Sequence, residues 1–391
     1  MYASYTSEAS KLHNIKTHTI EQALNSPGLK EMRKSMIENK PHGLCAVCNH
    51  RTDNNIHSTR DYYNNLYLDR TVDLINKTNE DGSIDIENFN PIYVDLRFSN
   101  LCNLKCRMCS LQASSAWYNE TVEYNFLTGG GPIYYDKKFE NNGGAEKVQH
   151  LLNNVESMYW AGGEPLILDE HYKILDYLID TDRAKDVSLS YNTNLTVYTY
   201  KNKPIIDYWK HFKHVSVIGS MDGMEDVCNY IRTGTTWKKA QEVFNIFNNS
   251  GYAHIDVNPC ITLSILNILH VPEFIQWCFE NNWFPRDIPE ITLNFVDYPE
   301  EMSIKYLPDW AKLLAKERIL TLMSWLVNNQ HPRSAMPLSN IIKYLDSDHS
   351  SQSEIDIQLS KLKLRLDTYD ITAKLDWKSS LPEVNQILRT Y

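Results

Sequence analysis

No apolar run in this 391-residue chain approaches the roughly 18 residues a membrane-spanning helix needs, so no membrane segment is expected. Basic residues are outnumbered, 39 Lys and Arg against 49 Asp and Glu, giving a net charge of −10. A broad basic face for nucleic acid is therefore not expected. The start, MYASYTSEASKLHN, has no basic block followed by an apolar one. It does not read as a secretory signal, and the chain is expected in the cytoplasm. Neither GxxxxGKS/T nor GxGxxG occurs, which removes two common phosphate-cradling loops despite the glycines at 129–131 and 143–144. No segment repeats at a fixed period.

Cysteine is also scarce, with 8 in all. In a reducing compartment, clustered cysteines serve as metal ligands or reactive thiols rather than disulfide partners. Here they divide into the pair Cys45 and Cys48, the triad Cys102, Cys106 and Cys109, and three isolated residues. The isolated ones, Cys228, Cys260 and Cys278, read as buried small hydrophobes. The triad spacing, CxxxCxxC, directly follows a strand-like run in which Ile92, Val94, Leu96 and Phe98 alternate with Tyr93, Asp95 and Arg97. Short-spaced thiolates are soft ligands that suit an iron–sulfur cluster or zinc. Zinc loops usually pair a CxxC with a second, distant pair, a template that this triad fits poorly. Three thiolates on one loop can ligate three irons of a [4Fe–4S] cluster and leave the fourth iron open.

Beyond the triad, strand and helix patterns alternate. Strands are predicted at Met158–Ala161, Val187–Tyr191, Val215–Gly219, His254–Leu263 and Ile291–Val296. Helical patterns at Ala145–Asn154, Glu170–Asp180, Ile205–Phe212, Trp237–Asn248 and Pro272–Asn281 separate them. Six strands with intervening helices imply βαβ units and a parallel sheet, two short of a closed eightfold barrel. The expected fold is thus α/β, a partial (β/α)6 TIM-like barrel whose ligands sit at the carboxyl edge of the strands. Residues 112–150 read as an insertion over that edge. Residues 1–90 are polar and helix-prone, residues 91–300 hold the barrel, and residues 301–391 form a C-terminal helical cap.

Gly162-Gly163-Glu164, ending the second strand, adds a second motif. Glycine suits a place where backbone must approach a ligand closely, although the same residues also serve a plain strand-to-loop turn. Together the CxxxCxxC and the Gly-Gly-Glu resemble the radical S-adenosylmethionine (radical SAM) superfamily. That resemblance implies an enzyme in which Cys102, Cys106 and Cys109 hold a [4Fe–4S] cluster whose open iron chelates S-adenosylmethionine. Reductive cleavage then gives a 5′-deoxyadenosyl radical that abstracts hydrogen from a substrate. It further implies cofactor contacts from Met108, where the superfamily commonly has an aromatic residue, and from Gly162, Gly163 and Glu164. Asn194 of Thr193-Asn194, Ser220, Asp222 and Arg232 resemble family sites near the methionine carboxylate, the ribose or the substrate. A flavodoxin- or ferredoxin-like electron donor is implied as a partner. Cys45-Ala-Val-Cys48 is similar to part of the auxiliary-cluster region of SPASM or twitch proteins, with no cysteine before it and His42, His50 and His57 as the other donors nearby. Members with such regions often modify ribosomally made peptides, so a peptide or protein is the expected substrate. A small-molecule substrate, or a non-catalytic iron–sulfur or zinc protein, are the alternatives. His254 and Tyr298 are expected in the core.

Overall fold

Strand β1 (Tyr93–Leu96) pairs in parallel with β2 (Ser157–Trp160), which pairs with β3 (Ser188–Thr193). The computed structural model continues the sheet through β4 (His214–Ser220), β5 (Ile255–Leu263) and β6 (Thr292–Phe295), every neighbour parallel. Described residues are 18–53, 59–86, 89–111, 113–120, 144–284, 291–347, 350–389 and 391. Two compact units divide the chain, one spanning residues 1–91 and the other 92–391.

Spatial order in the sheet follows chain order, β1 to β6. When each parallel strand is laid beside its predecessor, right-handed crossovers place all the connecting segments on one side. The sheet therefore curls as a barrel wall does, and β1 and β6 stay at its edges among the described residues. This is the partial barrel that the alternating patterns predict. Parallel strands covered on both faces read as continuous apolar runs, whereas these alternate. Val94, Met158, Leu189, Val215 and Ile255 stand in one register row; in the next row are Asp95, Tyr159, Ser190, Ser216 and Asp256. One face is thus apolar and the other polar, as a barrel wall requires.

The apolar face carries the connecting helices. After β2 comes α1 (Asp169–Asp180), and after β3 comes the short α2 (Ile206–Trp209). Trp160 on β2 meets His171 of α1 edge-on at 4.6 Å, and Tyr191 on β3 meets Trp209 of α2 at 5.2 Å. After β4 the chain forms α3 (Glu225–Ile231) and then α4 (Trp237–Asn248), and after β5 it forms α5 (Val271–Glu280). Thr236 caps α4 by accepting the Lys239 amide at 3.2 Å. Helix α3 is absent from the sequence expectations, since seven residues are too few to show a period. Residue 112 and residues 121–143 of the expected insertion lie outside the described residues.

Three long helices follow the sheet within the same unit: α6 (Asp309–Asn328), α7 (Pro332–Ser347) and α8 (Gln352–Ala373). Ser351 and Glu354 form a capping box at the start of α8. Cys228, Cys260 and Cys278 are buried, as their isolation suggests. Tyr298, expected in the core, is instead 46% exposed, because it lies in the loop beyond β6. Residues 18–91 contain short helices, Pro27–Ile37 among them, and no strand longer than a bridge among the described residues.

Phe244 on α4 is fully buried and stacks on Trp283 at 3.9 Å between ring centres. Phe244→Ala is expected to lower the unfolding free energy by about 3–5 kcal/mol, as deletion of a packed core aromatic does. Urea titration followed by circular dichroism measures this, and a loss below about 1 kcal/mol would contradict the packing described.

Candidate active site at the cysteine loop

The chain leaves β1 through a loop held by a set of side-chain to backbone hydrogen bonds. Asn100 donates its side-chain amide to the Leu111 carbonyl at 2.7 Å, and its own carbonyl accepts the Ser115 amide at 2.8 Å. Ser115 Oγ accepts the Cys102 amide at 3.2 Å, while Ser114 Oγ donates to the Leu104 carbonyl at 2.6 Å. Trp117 Nε1 donates to the Cys106 carbonyl at 3.3 Å. Leu104 anchors the loop with a fully buried side chain. Lys105–Cys106 then forms a two-residue antiparallel ladder with Arg232–Thr233, just beyond α3. A two-residue ladder leaves no sequence pattern, so this pairing was not expected.

The ends of β2, β3 and β4 converge on this loop. Gly163 has φ +54°, and a Cβ there would lie 2.1 Å from the Leu101 carbonyl oxygen. The absent side chain lets the second strand's turn pack directly on the cysteine loop's backbone. Glu164, fully buried, extends that contact: its amide donates to the Leu101 carbonyl at 2.8 Å. Its carboxylate accepts the Leu166 amide at 3.0 Å, the Thr193 hydroxyl at 2.9 Å and the Asn194 amide at 2.7 Å. Burial pushes this carboxyl up to about 7, against the three donors and the charge of Arg232. Asn194 in turn aims its side-chain amide at the Cys102 sulfur, 3.7 Å away, and donates to Asn103 Oδ1 at 2.9 Å.

From the fourth strand end comes an ion pair. Asp222 is fully buried and accepts from Arg232 Nε at 2.7 Å and from Nη2 at 2.7 Å. Its other oxygen accepts the Thr262 amide at 2.8 Å, and Asn267 donates to its carbonyl at 3.0 Å. Arg232 Nη1 points at the Cys106 sulfur, 3.7 Å away. Burial works against the Arg232 charge, but Asp222 and the Cys106, Cys109 and Cys228 thiols more than offset it and hold the proton above the ordinary value. Burial likewise pushes the Asp222 carboxyl up, opposed by Arg232. The hydrogen bond with Cys109 pulls the Cys106 thiol down, helped by Arg232, while Cys109 moves up as the other half of that bond. Burial raises the Cys102 thiol.

The predicted residues of the main site lie on this loop or on the strand ends, except Arg232, which lies just beyond α3 in the short ladder. Ser220 ends β4 in register with Cys260, and Met108 is half-buried in the turn between Cys106 and Cys109. Cys260 accepts the Asn294 amide at 3.2 Å, and burial pushes its thiol up to about 11. Sequence reading missed Arg107, Asn103 and Trp117, although Arg107 stands inside the motif itself. In the other unit, Cys45 ends a 3-10 turn (Gly43–Cys45) and Cys48 lies in the helix Ala46–Asp53. His42 Nδ1 accepts the Leu44 amide at 3.2 Å. The His50 side chain and His57 lie outside the described residues.

Cys106 and Cys109 are in hydrogen-bond reach, and the charge of Cys102 is felt at Cys109. Yet no three Cys, His, Asp or Glu donors converge on one ion position among the described residues. The Cys102 and Cys106 sulfurs each have a side-chain donor directed at them, the kind of surrounding that tunes thiolate ligands of an iron–sulfur cluster.

Residues 96–277 match the model of the Radical SAM superfamily. No curated protein matches the sequence. Among solved structures, native anSMEcpe with bound AdoMet is 16% identical with a TM-score of 0.43, over 62% of this chain and 63% of that one. Streptococcus suis SuiB bound to precursor peptide SuiA is 16% identical with a TM-score of 0.38, over 62% of this chain and 47% of that one. The chain spans less than two thirds of the length of each.

Two substitutions test this geometry. Gly163→Ala combines a strained φ with a backbone clash and is expected to cost at least about 1–3 kcal/mol, read as a lower denaturant midpoint. For Glu164, burial makes the folded state bind more protons than the unfolded state between about pH 4.3 and about 7. Its contribution to stability is therefore complete below that window and is lost as pH rises through it. The stability difference between wild type and Glu164→Gln is expected to shrink with rising pH in urea titrations. A difference that grows would mean that the donors outweigh burial.

Proposed function

We propose that this chain is a radical SAM enzyme that abstracts hydrogen from a peptide or protein substrate. The observation that carries the reading is the cysteine loop, three linked thiols seated at the carboxyl edge of a partial barrel, with Arg232 and Asn194 directed at two of the sulfurs. Cys102, Cys106 and Cys109 would hold the [4Fe–4S] cluster. When bound, the cluster and S-adenosylmethionine supply the one-electron cleavage that yields a 5′-deoxyadenosyl radical.

What the chain contributes is position and charge. Arg232, fixed by Asp222, directs Nη1 at Cys106 and favours its thiolate, the form that ligates metal. Asn194 directs a neutral side-chain amide at the Cys102 sulfur, and its own backbone is pinned by Glu164. Ser220, Met108 and the Gly162–Gly163 turn stand around the same loop and are the groups we assign to the nucleoside and methionine portions of S-adenosylmethionine. A flavodoxin- or ferredoxin-like protein is the proposed electron donor.

A peptide substrate is favoured by the resemblance of the Cys45–Cys48 segment to twitch regions. Strand β6 adds a physical reason, since it ends the sheet with half-exposed residues. Such an edge can take up an extended backbone by strand addition.

Anaerobic purification, reconstitution with iron and sulfide, and addition of S-adenosylmethionine and dithionite test the activity. Wild type is expected to form 5′-deoxyadenosine and Cys106→Ala none above background. Cys45→Ala is expected to retain basal cleavage, because that pair lies outside the triad. Equal product from wild type and Cys106→Ala would eliminate the proposed activity.

A further inference from the structure

Arg107, between Cys106 and Cys109, is fully buried. Its guanidinium carbon lies 4.6 Å from the centre of the Tyr230 ring, 4.7 Å from Tyr369 and 5.8 Å from Trp117. Trp117 and Tyr369 themselves meet at 5.0 Å. Nε donates to the Tyr230 carbonyl at 3.3 Å, yet Nη1 and Nη2 have no hydrogen-bond partner among the described residues. The carboxylate nearby, Asp370, accepts the Tyr230 hydroxyl at 2.9 Å and the Trp377 amide at 2.6 Å instead.

Three segments distant in sequence build this cage. Trp117 belongs to the cysteine loop, Tyr230 to α3 and Tyr369 to α8. Backbone bonds follow the same route, since the Arg107 amide donates to the Ile231 carbonyl at 2.8 Å and the Tyr369 hydroxyl to the Arg107 carbonyl at 3.5 Å. Arg365 holds Tyr369 in turn, donating to its hydroxyl at 3.1 Å.

Aromatic faces attract a desolvated cation but cannot neutralise it. A guanidinium keeps its proton under all ordinary conditions, so the cage holds a permanent positive charge one residue from a cysteine ligand. Burying it without an ionic partner costs free energy, and an arginine serving only to fill space would be replaceable by an apolar side chain. Net charge close to an iron–sulfur cluster is one of the terms that set its potential. A cation stabilises the more negative, reduced state.

We propose that Arg107 is a positioning residue with two effects: its cage clamps helix α8 onto the cysteine loop, and its unpaired charge raises the reduction potential of the cluster held there. The second effect rests on the function proposed above, whereas the first does not.

Hydrogen exchange on the full chain without cluster tests the clamp. Tyr369→Leu, which removes one wall of the cage, is expected to speed exchange of the amides of residues 105–109 about tenfold, with strands β3 and β4 unchanged. Unchanged exchange in the loop would overturn the clamp. Dithionite titration of the reconstituted protein, followed by electron paramagnetic resonance, tests the charge. Arg107→Gln is expected to shift the oxidised-to-reduced ratio at fixed potential about tenfold toward oxidised, ~59 mV for a one-electron couple. Arg107→Lys, which keeps the charge, is expected within about twofold of wild type. A Gln variant that matches wild type, or a Lys variant that falls as far as Gln, would overturn the charge effect. Should the Gln variant not fold, Arg107→Met, which removes the charge but refills the cage with apolar atoms, is expected to shift the ratio toward oxidised to the same extent; no shift or one toward reduced overturns the effect. A wild-type chain that takes up no cluster would remove the proposed function and the charge effect together, while the exchange result would still stand or fall alone.

Discussion

The Arg232 guanidinium joins the Asp222 carboxylate to the Cys106 sulfur, and the placement of the cysteine loop depends on that bridge. Both charged groups are buried, so each pays a desolvation penalty that the other offsets most directly. The pair is consequently all or nothing: with either partner missing, an uncompensated charge would remain beside the thiols. Asp222 is itself held by the Thr262 amide from β5 and through its carbonyl by Asn267. The position of Cys106 can be followed back through Arg232 and Asp222 to the fifth strand, which is rigid because it is paired on both sides.

A second tie, made with different chemistry, holds the other side of the loop. Glu164 collects donors from its own turn and from the end of β3, and its amide reaches the Leu101 carbonyl. Gly163 makes this possible, since any side chain there would meet the Leu101 carbonyl. Sequential order in a parallel sheet is what brings these groups together. It puts the carboxyl ends of β2, β3 and β4 side by side, so residues far apart in the chain face one short loop. The glycines that suggest a ligand contact in the sequence serve loop-to-loop packing in the structure.

The strands were legible because the sheet is polar on one face. Alternation such as Leu189, Tyr191 and Thr193 against Ser188, Ser190 and Asn192 is rare in parallel sheets covered on both sides; the same pattern located β1, and the succession of six strands and helices implied the partial barrel. The long helices α4 and α6 were legible by their apolar spacing. Helix α3 and the ladder of Lys105–Cys106 with Arg232–Thr233 were not, because seven and two residues carry no measurable period. The cysteine triad was readable as a set of soft ligands from its spacing, whereas its assignment to a cluster and the role given to Gly-Gly-Glu came from the family resemblance. Arg232 was readable as a cation near the site, yet its partner Asp222 and its approach to Cys106 follow only from tertiary placement. Tyr369 had no signal at all, being one tyrosine among 24.

The two buried arginines beside the triad differ in a way that follows from their partners. Arg232 is matched by Asp222, so at a distance the pair is close to neutral, and its effect is local, a directed N–H at one sulfur. Arg107 has rings where Arg232 has a carboxylate in contact, so it contributes little directional bonding to the sulfurs and acts on their surroundings through its charge. Orientation and potential are then set by separate residues. This separation also gives the C-terminal helices a physical reason to share a compact unit with the sheet. One wall of the Arg107 cage is Tyr369, so a desolvated cation beside the cysteine loop exists only while α8 covers it.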